Sequence, residues 1–202
     1  MVSPQVIGKI FEYIVKLKIR RKGYLTFRCA GSRPFDILAI KEGPIYIKFC
    51  DTKKEMLGYV TDLRESGYVV IKQSGHNEYV AIKDNVILLL MLTLYIDIRV
   101  LAEIVKYNIE YIIIKDFYRE FLESLSLNKC RDIMVIECKI EDIITEDQFK
   151  ELIRLCSIME TSLYIITIRN RKLYVKMYSS MGRPMIEYSL PIKELMVIGK
   201  YV

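Results

Sequence analysis

The sequence predicts an α/β protein in two halves, and three observations carry that expectation. Hydrophobic residues make up 52% of the 202-residue chain and charged residues 28%, enough apolar side chain to bury a core. Short strand-like runs alternate with stretches of three- and four-residue apolar spacing. Fourteen glycines and prolines exclude collagen-like and low-complexity architectures.

Residues 4–21 form the first expected helix, with Ser3 as N-cap and Pro4 in the first turn. Ile7, Ile10, Phe11, Ile14, Val15 and Leu17 supply its apolar spacing, and Gly23 ends it. Strands are expected at 24–29, 35–40 and 45–50. The last two are joined by Lys-Glu-Gly-Pro, a linker of hairpin length. A helix over 53–66 closes at Gly67, and strands 68–72 and 78–83 flank a turn containing Ser-Gly-His-Asn.

Beyond Asp84 the order partly recurs. A helical stretch within 86–108 precedes a strand at 111–115, a short helix at 117–125 and a strand at 133–138. A helix at 146–158 leads to strands 163–168 and 172–177 across Arg-Asn-Arg, and 184–196 reads as a strand and short helix. Domains are therefore expected at 1–85 and 86–202. Both contain strand, helix, strand, turn, strand, so the second half reads as a diverged tandem repeat or as an unrelated α/β domain.

No apolar run reaches membrane-spanning length; the longest, 86–96, has eleven residues with only Thr93 interrupting. The N-terminal residues lack a secretory pattern, which makes a cytoplasmic protein the expectation. Cys29, Cys50, Cys130, Cys138 and Cys156 form no C-x-x-C pair, and with His76 as the lone histidine they predict buried, reduced thiols. His76 itself reads as an exposed turn residue. Thirty-one isoleucines, fifteen tyrosines and three glutamines match the habit of hyperthermophile proteins.

Charge is unevenly placed. Residues 1–54 carry twelve Lys and Arg against four acids, +8, so the remainder of this +6 chain carries −2. A basic first quarter suits a polyanion, because neutralised phosphates release counterions. Tyrosine and lysine alternate at Tyr174-Val175-Lys176, which reads as packing plus a wet face.

One segment carries chemistry. Gly8-x-x-x-Glu12 is followed by Gly23-Tyr24-x-x-x-Arg28-x-Ala30-Gly31-Ser32-x-x-x-Asp36 and an apolar strand pair. This text resembles the archaeal Holliday-junction resolvases of the PD-(D/E)XK nuclease superfamily. The likeness runs from Gly8 to Lys54 and more loosely to Asp84. It implies a mixed-sheet nuclease fold acting on branched or duplex DNA in recombination or repair. It also implies a two-fold homodimer or, if the halves repeat, an intramolecular pseudo-dimer. Asp36 would be a magnesium ligand, Glu12 a helper acid and Ser32 a residue beside the substrate phosphate. Arg20, Arg21, Lys22, Arg28 and Arg33 would meet DNA.

Phosphodiester hydrolysis on such a scaffold needs converging carboxylates for a divalent ion, and a lysine near the developing charge. The acid-x-lysine pair is expected on strand 45–50, yet Lys48 and Cys50 stand at its two positions. An ammonium there repels a divalent ion, so the reading is a catalytically degenerate DNA-binding protein. Two alternatives keep an active magnesium-dependent endonuclease in play. Asp51-Thr52-Lys53 is an acid-x-lysine triplet three residues late. Glu137-Cys138-Lys139 ends an apolar strand, and the following helix contains Gln148, as the superfamily's third strand and next helix would. That second candidate has no Gly-Ser-x-x-x-Asp upstream, with Asp116 and Asp132 the nearest aspartates. A third class is a structural partner subunit that contacts protein.

Overall fold

The Ser3 hydroxyl accepts from the Val6 N–H and starts α1 (Pro4–Arg20), with proline in the first turn where no donor is lost. The computed structural model describes residues 3–32, 34–73, 77–95, 98–114, 130, 132–140, 144–170 and 172–191. The expected helix 117–125, the helix after 191 and His76 lie outside them.

After α1 come β1 (Leu25–Arg28), a 3₁₀ turn at Ala30–Ser32 and β2 (Ile37–Glu42), antiparallel to β1. Here the chain leaves its sheet. The predicted hairpin between 35–40 and 45–50 does not form, and β3 (Ile45–Cys50) belongs to a second sheet. Ile37, Leu38, Ala39 and Ile40 are all fully buried, so β2 needs a partner on each edge and cover on each face. That second edge is filled from far along the chain. Gly43 makes the departure possible: φ is +107°, and a Cβ there would stand 2.4 Å from the Cys130 Cα. Cys130 Sγ also donates to the Pro44 carbonyl at 3.3 Å, so the two ends of the intervening segment touch.

That segment builds sheet two. Helix α2 (Lys53–Glu65) is capped by Thr52, and β4 (Val69–Lys72) pairs antiparallel with β5 (Glu78–Lys83). Asp84 and Asn85, both at positive φ, turn β5 into β6 (Val86–Leu92). The helical stretch expected within 86–108 is confined to the later part of that range, and its first part is strand. All seven side chains of β6 are buried, and an unbroken apolar run without helical period is what a strand covered on both faces requires. Helix α3 is confined to Ile98–Lys106, followed by β7 (Tyr111–Ile114). The order is β4-β5-β6-β3-β7, with β3 parallel to β6 and β7.

Sheet one resumes with β8 (Asp132–Ile140), α4 (Glu146–Met159), β9 (Ser162–Arg169), β10 (Lys172–Tyr178) and β11 (Pro184–Pro191). Its order is β1-β2-β8-β9-β10-β11, with β8 parallel to β9 across α4 and the other pairs antiparallel. The chain is thus mixed α/β, with two mixed sheets. Residue 85 lies in the β5–β6 turn, and each sheet takes strands from both sides of it. The two strand-helix-strand units also differ in order. β9 lies beside β8, whereas β4 lies three places from β3.

Three apolar layers hold this together. Phe11, Val15 and Ile19 of α1 cover one face of sheet one against Ile37, Ala39, Met134 and Ile136. The opposite faces of both sheets share one core, into which α4 sends Leu152, Leu155, Cys156 and Met159. Met56, Val60 and Leu63 of α2 cover the outer face of sheet two. β8 alternates as a doubly covered strand must: Ile133 and Val135 join the shared core, Met134 and Ile136 the α1 layer. All five cysteines are buried and unpaired. No helix among the described residues is long and apolar enough to cross a membrane.

Candidate active site

The antiparallel register of β2 on β8 pairs Ile37 with Ile136, so Asp36 and Glu137 stand next to each other along the two strands. Asp36 is 3% exposed, and its Oδ2 accepts from the Cys138 N–H at 2.7 Å. Glu137 is 7% exposed; Lys139 Nζ lies 2.8 Å from its Oε1, while its Oε2 is buried without a hydrogen-bond partner. The helix acid comes from the other layer. Glu12 on α1 receives Arg28 at the end of β1, Nε at 2.9 Å and Nη2 at 2.6 Å. The acids gather around one thiol: Asp36, Glu137 and Glu12 all add to the burial that holds Cys138 un-ionised.

Electrostatics marks Glu137 as the strained member. Burial, then the Asp36 carboxylate, push it up to about 7, against the pull of Lys139 and the Asp36 backbone N–H. A carboxyl that binds its proton more tightly when folded stabilises the fold below its unfolded value and loses that contribution as pH rises through the folded value. The chelator-treated protein should therefore lose stability through this group as pH rises from 4.5 to 8. Glu137→Gln should flatten that slope and be the more stable protein at pH 8. Urea midpoints at both pH values check it; a wild-type midpoint that does not fall relative to Glu137→Gln would contradict it.

The sequence-expected residues divide sharply between the two sheets. Asp36, Glu137 and Lys139 come together on adjacent strands, while Glu12 stays on α1 with Arg28. Lys48 and Cys50 do not stand beside Asp36, because β3 lies in sheet two. Lys48 Nζ lies over the Tyr59 ring, 5.6 Å from its centroid, and Cys50 is fully buried under α2. Asp51 and Lys53 are exposed just beyond β3, where Asp51 accepts from Thr93 Oγ1 at 3.1 Å and Lys53 opens α2. Neither the degenerate position nor the slipped triplet meets Asp36.

The expected DNA-facing cations also separate. Arg28 is taken up by Glu12, and Arg20 pairs with Glu103 of α3. Lys16 is brought down to about 8 by burial and by Arg20 and Arg28. Arg21 and Lys22 are exposed at the end of α1. Arg33 and the Ser32 side chain lie outside the described residues. Gln148 is spent on structure, completing the capping box of α4 with Thr145.

Among the described residues no group of three or more His, Cys, Asp or Glu side chains converges closely enough to hold a metal ion. The donor set is two buried carboxylates with one orphaned oxygen. That fits a hard divalent ion, which binds through one or two carboxylates and completes its shell with water and substrate phosphate. Sequence reasoning saw both parts, Asp36 and Glu137-x-Lys139, without joining them. The signal that could have joined them was the complementary lack, an aspartate without its acid-x-lysine and an acid-x-lysine without its aspartate. Compared with family models, curated proteins and solved structures, the chain matches none.

Proposed function

We propose that this chain is a divalent-metal-dependent deoxyribonuclease, with Asp36 and Glu137 as the metal-holding carboxylates and Lys139 as the charge beside the reacting phosphate. The observation that carries the reading is the meeting of Asp36 with Glu137-x-Lys139 on adjacent strands of sheet one. The resemblance of 8–36 to the resolvases asks for an acid-x-lysine strand beside the aspartate, and β8 occupies that place. The second-half motif, an alternative on sequence alone, becomes the preferred completion of the first-half motif. The catalytically degenerate binder rested on Lys48 and Cys50, and it loses that support once β3 joins the other sheet.

At such a carboxylate pair a divalent ion supplies polarisation of the phosphate and a nucleophilic water at neutral pH. The protein's own residues do the rest. Asp36 is fixed by the Cys138 N–H, so its carboxylate is pre-aimed. Lys139 holds its ammonium on the Glu137 carboxylate, where negative charge builds on the phosphate in the transition state. The Glu12–Arg28 pair joins α1 to β1, and the Glu12 charge is felt at Cys138 beside Glu137. Arg21 and Lys22 remain for the DNA backbone, as the basic first quarter suggests.

The direct test is calorimetric titration with Mn²⁺ of wild type and Asp36→Asn. Wild type should take up the ion and Asp36→Asn should lose at least about tenfold in affinity, as expected when one of two charged ligands becomes neutral. Equal affinity in both proteins would remove the metal assignment from this pair.

A further inference from the structure

A cleft of about 790 Å³ opens beside the carboxylates, between the N-terminal half of α4 and strands β9 and β10. Its position follows from the pairing. Glu137 stands opposite Ile165, which stands opposite Lys176; Lys139 stands opposite Thr167, which stands opposite Tyr174. Residues directly paired across a sheet share one face, so the row bearing the proposed catalytic charges continues without a break into the cleft floor. Tyr174 lies two strand spacings, about 10 Å, from Lys139.

The lining is aromatic, with two cations, Arg169 and Lys176, and two acids, Glu146 and Glu187. Phe149 of α4 and Tyr178 of β10 form an edge-on wall, ring centroids 4.9 Å apart at 68°, and Tyr174 lies half-buried on the floor. Arg169 is exposed at the mouth, and Lys176 pairs with Glu187 at 2.8 Å on the outer rim. The volume falls in the range of about 300–1,000 Å³ that holds one small organic group. Rings for a flat π-face, with the exposed Arg169 guanidinium beside them and the proposed phosphodiester site on the same sheet face, match the chemistry of one nucleotide: base on tyrosine, phosphate on arginine. A base still paired and stacked in a duplex cannot offer its face to Tyr174; an unpaired base can.

Resting on the nuclease reading above, we infer that this cleft is a subsite for an unpaired nucleotide next to the scissile phosphate. The substrate class is therefore DNA with a single-stranded stretch at the cut, rather than continuous duplex. The Tyr-x-Lys alternation of β10, which as sequence reads as packing and a wet face, here lines the path of the strand.

The test measures binding without chemistry. Fluorescence anisotropy in a chelator, with the full chain, compares a short labelled oligothymidylate with a blunt duplex. Tyr174→Leu keeps an apolar side chain and loses the π-face; it should weaken oligothymidylate binding about tenfold and duplex binding less than twofold, and Tyr174→Phe should restore the wild-type value. Equal weakening of both probes, or of neither, overturns the subsite. So does a Tyr174→Phe that behaves like Tyr174→Leu. The two readings fail separately. If magnesium yields no cleavage but Tyr174→Leu shows the selective loss, the subsite stands and the nuclease assignment falls. If wild type cleaves and Tyr174→Leu leaves both affinities unchanged, the reverse holds.

Discussion

Asp36→Asn, Glu137→Gln and Lys139→Met are each expected to reduce magnesium-dependent DNA cleavage by about a hundredfold to a thousandfold, while Asp51→Asn and Lys53→Ala change it less than about twofold. The size follows from what is removed. Asp36 and Glu137 are buried and Lys139 is held on Glu137, and deleting one such polar group from a reacting centre costs about that factor. Lys139→Met preserves the aliphatic stem, so lost rate there reports the ammonium and not the packing. Asp51 and Lys53 lie just beyond β3 of sheet two, Lys53 at the start of α2, away from these groups. Single-turnover cleavage of a labelled junction or flap substrate separates the two sets. Activity lost on Asp51→Asn and retained on Glu137→Gln would return the site to the slipped triplet.

Cys50→Lys is expected to destabilise the protein by at least about 3 kcal/mol, and the pair Lys48→Glu with Cys50→Lys should create no metal site. Read as a linear motif, those two changes restore the missing acid-x-lysine. In the folded chain Cys50 is 0% exposed, packed in the layer with Met56, Val60 and Leu63 of α2. An ammonium forced there loses its hydration and meets side chains that cannot replace it. Lys48→Glu adds a buried carboxylate where a cation now lies over the Tyr59 ring. A domain's whole stability is about 5–15 kcal/mol, so such a change consumes much of it. Urea unfolding of Cys50→Lys beside Cys50→Ala reads the effect. A folded double variant that gains magnesium-dependent cleavage would show that β3 reaches Asp36 after all.

Both errors behind that linear motif have physical causes. Lys41-Glu42-Gly43-Pro44 has hairpin length, but the glycine turns the chain toward Cys130 instead of back along β2. Local turn chemistry says that the chain bends; which edge it then pairs with is decided by burial on both faces of β2, a tertiary property. The run from Val86 hid a strand for a related reason, since a segment buried all round has no period to read. Where ends and faces are local, the sequence was legible: Ser3, Thr52 and Thr145 cap the helices at their expected starts. The ingredients of the site were legible too, as Asp36 and as Glu137-x-Lys139. Their meeting was not, because the strand that completes the first motif comes after five strands of another sheet.

That discontinuity sets a timetable for the growing chain. Asp36 and Cys138 are 102 residues apart, and at about 5–20 residues per second the ribosome needs roughly 5–20 s to deliver the second after the first. Through that interval β2 carries an open edge and half a site, while most of sheet two can assemble from neighbours in sequence. An unstructured loop of that length would cost about 4 kcal/mol to close. The contact between Gly43 and Cys130 shortens it to a fixed root, so the late strand arrives already aimed. On the proposed function, a nascent chain would cleave no nucleic acid around it until Glu137 had emerged, and a fragment that stops before Glu137 would cleave none.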